Sequence, residues 1–163
     1  MKTIQTMYEH LNWANQRILE TLQSMEEQNQ ELNRLFLHIL FAEQVWITRL
    51  RGLDSTHLPI WPETGADTDA DADADADVEI EACAELVRQN KESTASFLAE
   101  LSNADLDKRI AYTNSKGQEF ENSVRDILTH AALHGHYHRG QINLRLRAAG
   151  YEPANIDFIT FVR

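Results

Sequence analysis

The sequence contains a single cysteine, Cys83, so the chain cannot form an intramolecular disulfide. Free thiols are typical of reducing compartments, and this cysteine usage predicts a cytoplasmic protein. A lone cysteine can also serve as a nucleophile. We expect a buried apolar residue instead, because nothing in the surrounding stretch Glu79–Glu85 would lower the pKa of the thiol.

Long hydrophobic runs and basic residues are also scarce. No apolar run approaches the roughly 18 residues needed to span a bilayer, and residues 1–16 lack the apolar segment of a signal peptide. The 15 Lys and Arg residues are outnumbered by 26 Asp and Glu residues, which gives a net charge of −11. Proteins that bind nucleic acid carry a basic surface. The charge balance therefore argues against nucleic-acid and anionic-membrane partners. The partner that we expect is a small-molecule substrate.

Apolar residues recur at helical spacing in four segments, which are residues 3–25, 31–52, 78–102 and 123–149. Residues 109–120 contain two short β-tolerant runs around the turn-forming stretch Asn114–Gly117, which predicts a hairpin. Ser123 and Asp126 predict a capping box at the start of the fourth helix. The sequence therefore predicts an all-α fold, a single four-helix-bundle domain over residues 1–163 with a small β-hairpin before the last helix. The connection between the second and third helices is long enough for a crossover.

Within that connection, residues 66–77 alternate aspartate with alanine. Like-charge repulsion and the absence of apolar anchors predict a solvated, low-complexity acidic loop. Alternating aspartates also occur in calcium-binding loops, but this run lacks the glycine and the terminal glutamate of a helix–loop–helix calcium site. We therefore expect no specific cation site there.

Four of the seven histidines fall within nine residues of the fourth predicted helix. On a helical wheel, His130, His134 and His138 share a face with the apolar residues, whereas His136 points away from it. The wheel predicts three inward histidines and one that faces water. A buried neutral imidazole needs a partner, and a metal ion is a suitable one.

Histidines four residues apart on a helix can converge on one metal ion. His130 with His134 and His134 with His138 both have this spacing, but positions 130 and 138 lie about 12 Å apart along a helix. One ion can therefore take only one of the two pairs, and it needs further ligands from elsewhere. His38, embedded in the apolar face of the second predicted helix, is the candidate. The alternative interpretation is a set of structural histidines that are hydrogen-bonded in a polar seam of the core.

With these residues placed, the sequence resembles the DinB-like family of metalloenzymes along essentially its whole length. The most specific match is the string His134-x-x-x-His138-Arg-Gly-Gln141 in the fourth predicted helix. The other matches lie in the first helix, the second helix and the C-terminal segment, and they are Tyr8, Trp13, Asn15, Leu37, His38, Leu40, Trp46 and Asp157–Phe161. The acidic loop departs from the family pattern but contains none of these residues.

The resemblance implies a bundle that binds one divalent metal ion through three histidines, which by position are His38, His134 and His138. It selects the later pair in the fourth helix, and it makes His130 a neighbour of the ligands and leaves His136 outside. Relatives include transferases that use bacillithiol or mycothiol and a thiol-dependent isomerase. Many members have no assigned reaction, and several form dimers.

Three neutral imidazoles leave a divalent ion with open positions, as in catalytic metal sites. An all-nitrogen donor set suits zinc, nickel, iron or copper. We assign no catalytic residue, but five side chains are candidates to orient a ligand or to hydrogen-bond a metal-binding histidine, and they are His130, Gln141, Arg145, Asn15 and Tyr137.

The resulting hypothesis is a metal-dependent S-transferase that uses a low-molecular-weight thiol. The alternatives are a metal-dependent hydrolase that uses metal-bound water and a non-catalytic metal-binding stress protein. We also expect a homodimer, from the family resemblance and from the aromatic side chains of Trp13, Trp61 and Phe161.

Overall fold

Four long helices and a hairpin make up the computed structural model, which describes residues 1–62, 78–114 and 116–163. In chain order the elements are α1 (Lys2–Gln23), α2 (Gln30–Leu50), α3 (Ile80–Glu100), a 3-10 turn (Asn103–Asp107), β1 (Arg109–Thr113), β2 (Glu119–Ser123), α4 (Val124–Ala148) and the short α5 (Phe158–Phe161). The predicted all-α fold with a hairpin before the last long helix is confirmed. The acidic run at residues 66–77 lies outside the described residues.

The hairpin passes directly into α4. Strands β1 and β2 are antiparallel, and Tyr112 pairs with Phe120, whose ring it stacks against. The last residue of β2, Ser123, is also the N-cap of α4: its hydroxyl accepts a hydrogen bond from the backbone N–H of Asp126, and the Asp126 carboxylate accepts one from the N–H of Ser123. The predicted capping box is therefore present, and it fixes where the helix that carries the histidine cluster begins.

The long helices form a ring in which sequence neighbours are not all spatial neighbours. Helix α2 packs against α3 and α4, and α1 also packs against α3 and α4, whereas α1 and α2 lie on a diagonal. In a simple up-and-down bundle consecutive helices are adjacent. The chain therefore uses a crossover, and the pairing of α2 with α4 faces His38 toward the histidines of α4.

Apolar side chains fill the bundle in two clusters. One surrounds Phe36 and Leu40 of α2, and the other surrounds Leu11 of α1 and Leu128 of α4. Cys83 belongs to the first cluster and is fully buried, and burial raises the pKa of its thiol to about 12. The prediction of an inert, core-packed cysteine is consistent with this position. Among the described residues, no helix is long and apolar enough to cross a bilayer.

The C-terminal segment packs on α1 and α4 before it ends in α5. The side chain of Asn143 exchanges two hydrogen bonds with the backbone of Ala154, and Ile156 is buried. The Ile156 carbonyl accepts a hydrogen bond from Nε2 of His10 at 2.8 Å. His10 of α1 is therefore a buried residue that anchors the C-terminal segment.

Candidate metal centre

The structure brings three histidines together where α2 packs against α4. His38 lies in the middle of α2, and His134 and His138 lie on successive turns of α4. One ring nitrogen from each lies within 4.8 Å of the other two. The ring centroids are 5.1 Å apart for His38 and His134, 4.8 Å for His38 and His138, and 4.5 Å for the pair on α4. Only the packing of two helices that are distant in sequence produces this group.

In His38 and His138, a hydrogen bond at one ring nitrogen determines which nitrogen remains free to bind a metal ion. Nδ1 of His38 lies 2.6 Å from the carbonyl oxygen of Ile60, and a carbonyl can only accept, so Nδ1 carries the proton. Nδ1 of His138 donates to Oε1 of Gln141 at 2.7 Å, and the Gln141 amide donates in turn to the hydroxyl of Tyr137 at 3.1 Å. Both histidines therefore keep an unprotonated Nε2 for a metal ion, which is the usual arrangement behind a histidine ligand.

Burial favours the neutral, metal-binding form of His38 and His134. Burial, together with the neighbouring His138 and His38, lowers the pKa of His134 to about 4. Burial also lowers the pKa of His38, although its hydrogen bond to the Ile60 carbonyl opposes that change. Metal ions compete with protons for imidazole nitrogen, so a depressed pKa extends the pH range in which the nitrogens are available.

The donor set fits a divalent transition metal with an open coordination position. Nitrogens bound at about 2.1 Å to a tetrahedral ion lie about 3.4 Å from one another, so the rings need only a modest inward rotation from their present spacing. Within the described ranges, no further His, Cys, Asp or Glu joins the group of His38, His134 and His138. Three protein ligands are typical of catalytic sites, in which water or substrate takes the remaining position.

An indole ring covers one face of the site. Trp61 stacks on His38 with ring centroids 3.6 Å apart and planes 5° from parallel, and it is still 54% exposed. The same tryptophan lines a largely apolar cleft of about 570 Å³ together with Leu37, Phe41 and Leu58. Trp61 therefore both contacts His38 and lines a cleft that is large enough for a small organic molecule.

The helical wheel predicts that His130 faces the interior, and this prediction is wrong. It is exposed, and its ring contacts Trp46 edge-on with centroids 4.8 Å apart, while the ring of His134 lies 5.9 Å away. A helical wheel gives the direction of a side chain but not whether other elements cover it. Near the start of α4, that direction leads to a small surface pocket of about 240 Å³ under the hairpin. His136 is exposed, as expected.

The other candidate residues occupy different positions around the three histidines. Gln141 hydrogen-bonds His138, as described above. Arg145 forms a salt bridge with Glu31 of α2 and donates to the backbone carbonyl of Gln141. The amide of Asn15 bonds Glu43 and Arg139 instead of a histidine.

Two buried charges, Glu43 and Arg139, were not identified from the sequence. Both are almost inaccessible to solvent. Burial raises the pKa of Glu43, and burial lowers the pKa of Arg139 to about 10. A sequence signal for Glu43 does exist, since it is the only acidic residue in the apolar stretch from Leu35 to Ile47. Arg139 directly follows His138 in the sequence, one position away from the face that carries the histidines.

Comparison with known proteins gives consistent results over the whole chain. The sequence profile of the DinB family matches residues 1–163. Among curated proteins, the chain is similar to Protein DinB of Bacillus subtilis (strain 168), with 28% identity over 162 residues. That match covers 93% of this chain and 89% of the relative.

We expect His38→Ala, His134→Ala and His138→Ala each to abolish stoichiometric metal binding, because two imidazoles alone hold a divalent ion weakly. Elemental analysis of tag-free protein after loading and gel filtration measures the metal content per chain. His136→Ala is the matched control on the same helix and should keep a full complement. Metal loss in the control together with retention in His38→Ala would show that the site lies elsewhere.

We expect the free energy of unfolding of the metal-free protein to fall as the pH is lowered from about 6.5 toward 4. The folded-state pKa of His134 lies below its ordinary value of 6.5, so the unfolded chain takes up the proton first. Because the ring is only half-buried, this histidine should contribute about 1–2 kcal/mol. Urea titrations in the presence of a chelator measure the effect. His134→Gln should flatten the pH dependence and His136→Gln should not; identical profiles for both variants and the parent would contradict this account.

Proposed function

Because the chain belongs to the DinB family, we propose that it is a divalent-metal-dependent enzyme that transfers a low-molecular-weight thiol to an electrophilic small molecule. The observation that carries the proposal is the convergence of His38, His134 and His138 with no fourth protein ligand among the described residues. Such a centre retains room for an exchangeable ligand, and a thiol is one that zinc, nickel and iron all accept.

The three histidines would hold the ion, and their hydrogen-bonded Nδ1 atoms support this role for His38 and His138. A bound divalent ion would supply positive charge that stabilises a thiolate and so lowers the pKa of a thiol cosubstrate. In the transfer, sulfur forms a bond to an electrophilic carbon, the thiol proton is released, and the leaving group departs with its bonding electrons. The protein's own part is to place sulfur and carbon next to each other and to exclude water.

The thiol in this proposal comes from solution. Cys83, the single cysteine of the chain, is fully buried in the core beside α2, and burial raises the pKa of its thiol to about 12. Thiol nucleophiles react as thiolates and need access to the substrate, and this cysteine has neither property. A free buried cysteine also fits a protein that works in the reducing cytoplasm.

Two side chains beside the histidines are suited to substrate binding. The Tyr137 hydroxyl accepts a hydrogen bond from Gln141 and so keeps its own proton for a ligand, and the Tyr137 ring lies 5.0 Å from that of His138. Trp61 offers an exposed apolar face on the opposite flank. Together they favour an electrophile with an apolar or aromatic body and one polar group.

We expect a small thiol to bind directly at the metal of a cobalt-substituted protein and to produce a sulfur-to-metal charge-transfer band. Absorption titration with a millimolar thiol measures this band, and a model electrophile tests turnover. Cys83→Ala should retain both the band and the activity, because the core cysteine takes no part.

The same experiment separates the alternatives. A spectrum that does not respond to thiols, together with hydrolysis of esters or amides without thiol, would replace the transferase by a metal-dependent hydrolase. Full metal loading with neither reaction would favour a non-catalytic metal-binding protein.

We propose that the protein is a homodimer that associates through α4. Trp13 and Phe161 pack against each other and around His10, so they offer less free surface than the sequence suggests. Leu133, Tyr137 and Leu144 instead form one stripe on α4, with exposures of 61%, 63% and 68%. Large exposed apolar patches commonly mark association surfaces.

Sedimentation equilibrium should therefore report twice the chain mass of 18.7 kDa at micromolar concentration. Leu144→Asp should shift the protein to the monomer, because it would bury a charge in the interface, while the exposed Glu92→Gln on α3 should not. A monomeric parent protein would contradict the proposal, and a dimer unaffected by Leu144→Asp would contradict this choice of surface.

A further inference from the structure

Four buried polar side chains, one from each long helix, form a connected network inside the bundle. Nη1 of Arg139 on α4 donates to Oδ1 of Asn15 on α1 at 2.7 Å. Nδ2 of Asn15 contacts both carboxylate oxygens of Glu43 on α2, at 2.9 and 3.1 Å. Nδ2 of Asn90 on α3 donates to the same carboxylate at 3.1 Å and to the Leu40 carbonyl at 2.9 Å. None of the four network residues is more than 5% exposed.

The network has a fixed direction. Asn15 offers its amide oxygen to the guanidinium and its amide nitrogen to the carboxylate, so the two charges set the orientation of the amide between them. The guanidinium fits because Gly135, one turn earlier on α4, has no side chain: a Cβ there would lie 2.9 Å from Nη1 of Arg139. The network thus specifies that Arg139 is the residue of α4 that faces Asn15, and it fixes which turn of the helix lies there.

The network and the three histidines are attached to the same pair of helices. On α4, Gly135 and Arg139 form a stripe one residue further along than His134 and His138, so the two stripes run side by side about 100° apart around the helix axis. On α2, the network residue Glu43 lies five positions after His38. A rotation of α4 that breaks the bonds of Arg139 would therefore also swing His134 and His138 away from His38.

Stability alone gives a poor account of this arrangement. Opposite charges that are removed from water lose hydration that their mutual attraction often fails to restore, and apolar replacements of similar volume are often neutral or stabilising. The buried Nε–H group of Arg139 moreover has no hydrogen-bond partner among the described residues, which adds a further cost. Buried polar groups do, however, fix helix register in some proteins, since only one arrangement satisfies them.

We propose that the network of Asn15, Glu43, Asn90 and Arg139 positions the metal centre, because it fixes the rotation of α4 relative to α2 and so holds His134 and His138 opposite His38. Its members are positioning residues, since their hydrogen bonds go to one another and to the Leu40 backbone. The inference rests on the proposed metal-binding function, and it adds a requirement that the histidines alone do not impose.

The first test replaces both charges with apolar side chains of similar size in the double variant Glu43→Leu/Arg139→Met. The variant leaves the buried amide of Asn15 without its two charged partners, so we expect a thermal midpoint near or below that of the parent. In the folded protein we expect an affinity for Co²⁺ at least tenfold lower in competition with a chelator, whereas a purely structural network would leave that affinity unchanged. Unchanged affinity would overturn the proposal.

The second test uses two glycines of one helix and remains informative if the double variant fails to fold. Gly135→Ala pushes on the guanidinium of Arg139, whereas a Cβ at Gly140 meets no atom of the described residues within 4 Å. Both changes raise the helix propensity of α4 by the same amount. We expect Gly135→Ala to weaken Co²⁺ binding at least tenfold and Gly140→Ala to leave it unchanged. Equal affinity in the two variants would contradict the inference.

A readout without metal separates this inference from the proposed function. In the metal-free protein, through-space NMR contacts should connect the ring protons of His38 with those of His134 and His138, whose centroids lie about 5 Å away. Gly135→Ala should weaken both contacts, while the contact within α4 between His134 and His138 persists as an internal reference. If the parent protein binds no metal, the proposed function fails, and these contacts still decide whether the network positions the rings. Contacts that stay unchanged in the variant would overturn the inference.

Discussion

Three imidazoles pack between α2 and α4, and their hydrogen-bond requirements constrain the chain beyond these two helices. A buried imidazole that presents one nitrogen to a metal ion must hydrogen-bond through the other. For His138 that partner lies on the same helix, at Gln141. For His38 it is the carbonyl of Ile60, which lies outside the helices, so the chain after α2 has to fold back over α2. The same return path lays Trp61 on the ring of His38, and one short segment thus supplies both a hydrogen bond and a wall of the site.

Helix periodicity was enough to predict the elements and part of the site. His134 and His138 are four residues apart, so their proximity is a local property of α4 that any helical wheel reveals. Their meeting with His38 is not local. It depends on the diagonal placement of α1 and α2, which seats α2 against α4. The sequence suggested it through the inward position of His38 and through the resemblance to a family. His130 shows the limit of the wheel, because it shares a direction with the apolar side chains of α4 but lies exposed in a small surface pocket under the hairpin.

The buried charges escaped prediction for a related physical reason. Glu43 and Arg139 each look like an exposed charge at the border of an apolar face, and only their partners on other helices make burial tolerable. Asn15 and Asn90 supply those partners from α1 and α3, so the network exists only when all four helices are assembled. Spacing within one helix carries no information about a contact between helices. The glycine at position 135 is a signal within the sequence of α4, because only a residue without a side chain leaves room for the guanidinium of Arg139.

The same network explains how a candidate cation site tolerates a buried arginine beside it. An isolated positive charge in a medium of low dielectric would oppose both a protonated imidazole and a bound metal ion over a long range. Arg139 is coupled through Asn15 to the carboxylate of Glu43, so the pair acts on its surroundings as a dipole, and the field of a dipole falls faster with distance than that of a charge. Burial is the main cause of the lowered pKa of His134, and the neighbouring histidines all contribute more than Arg139 does. Arg139 can serve as a rigid contact one residue from His138 because its charge is balanced by Glu43 within the network.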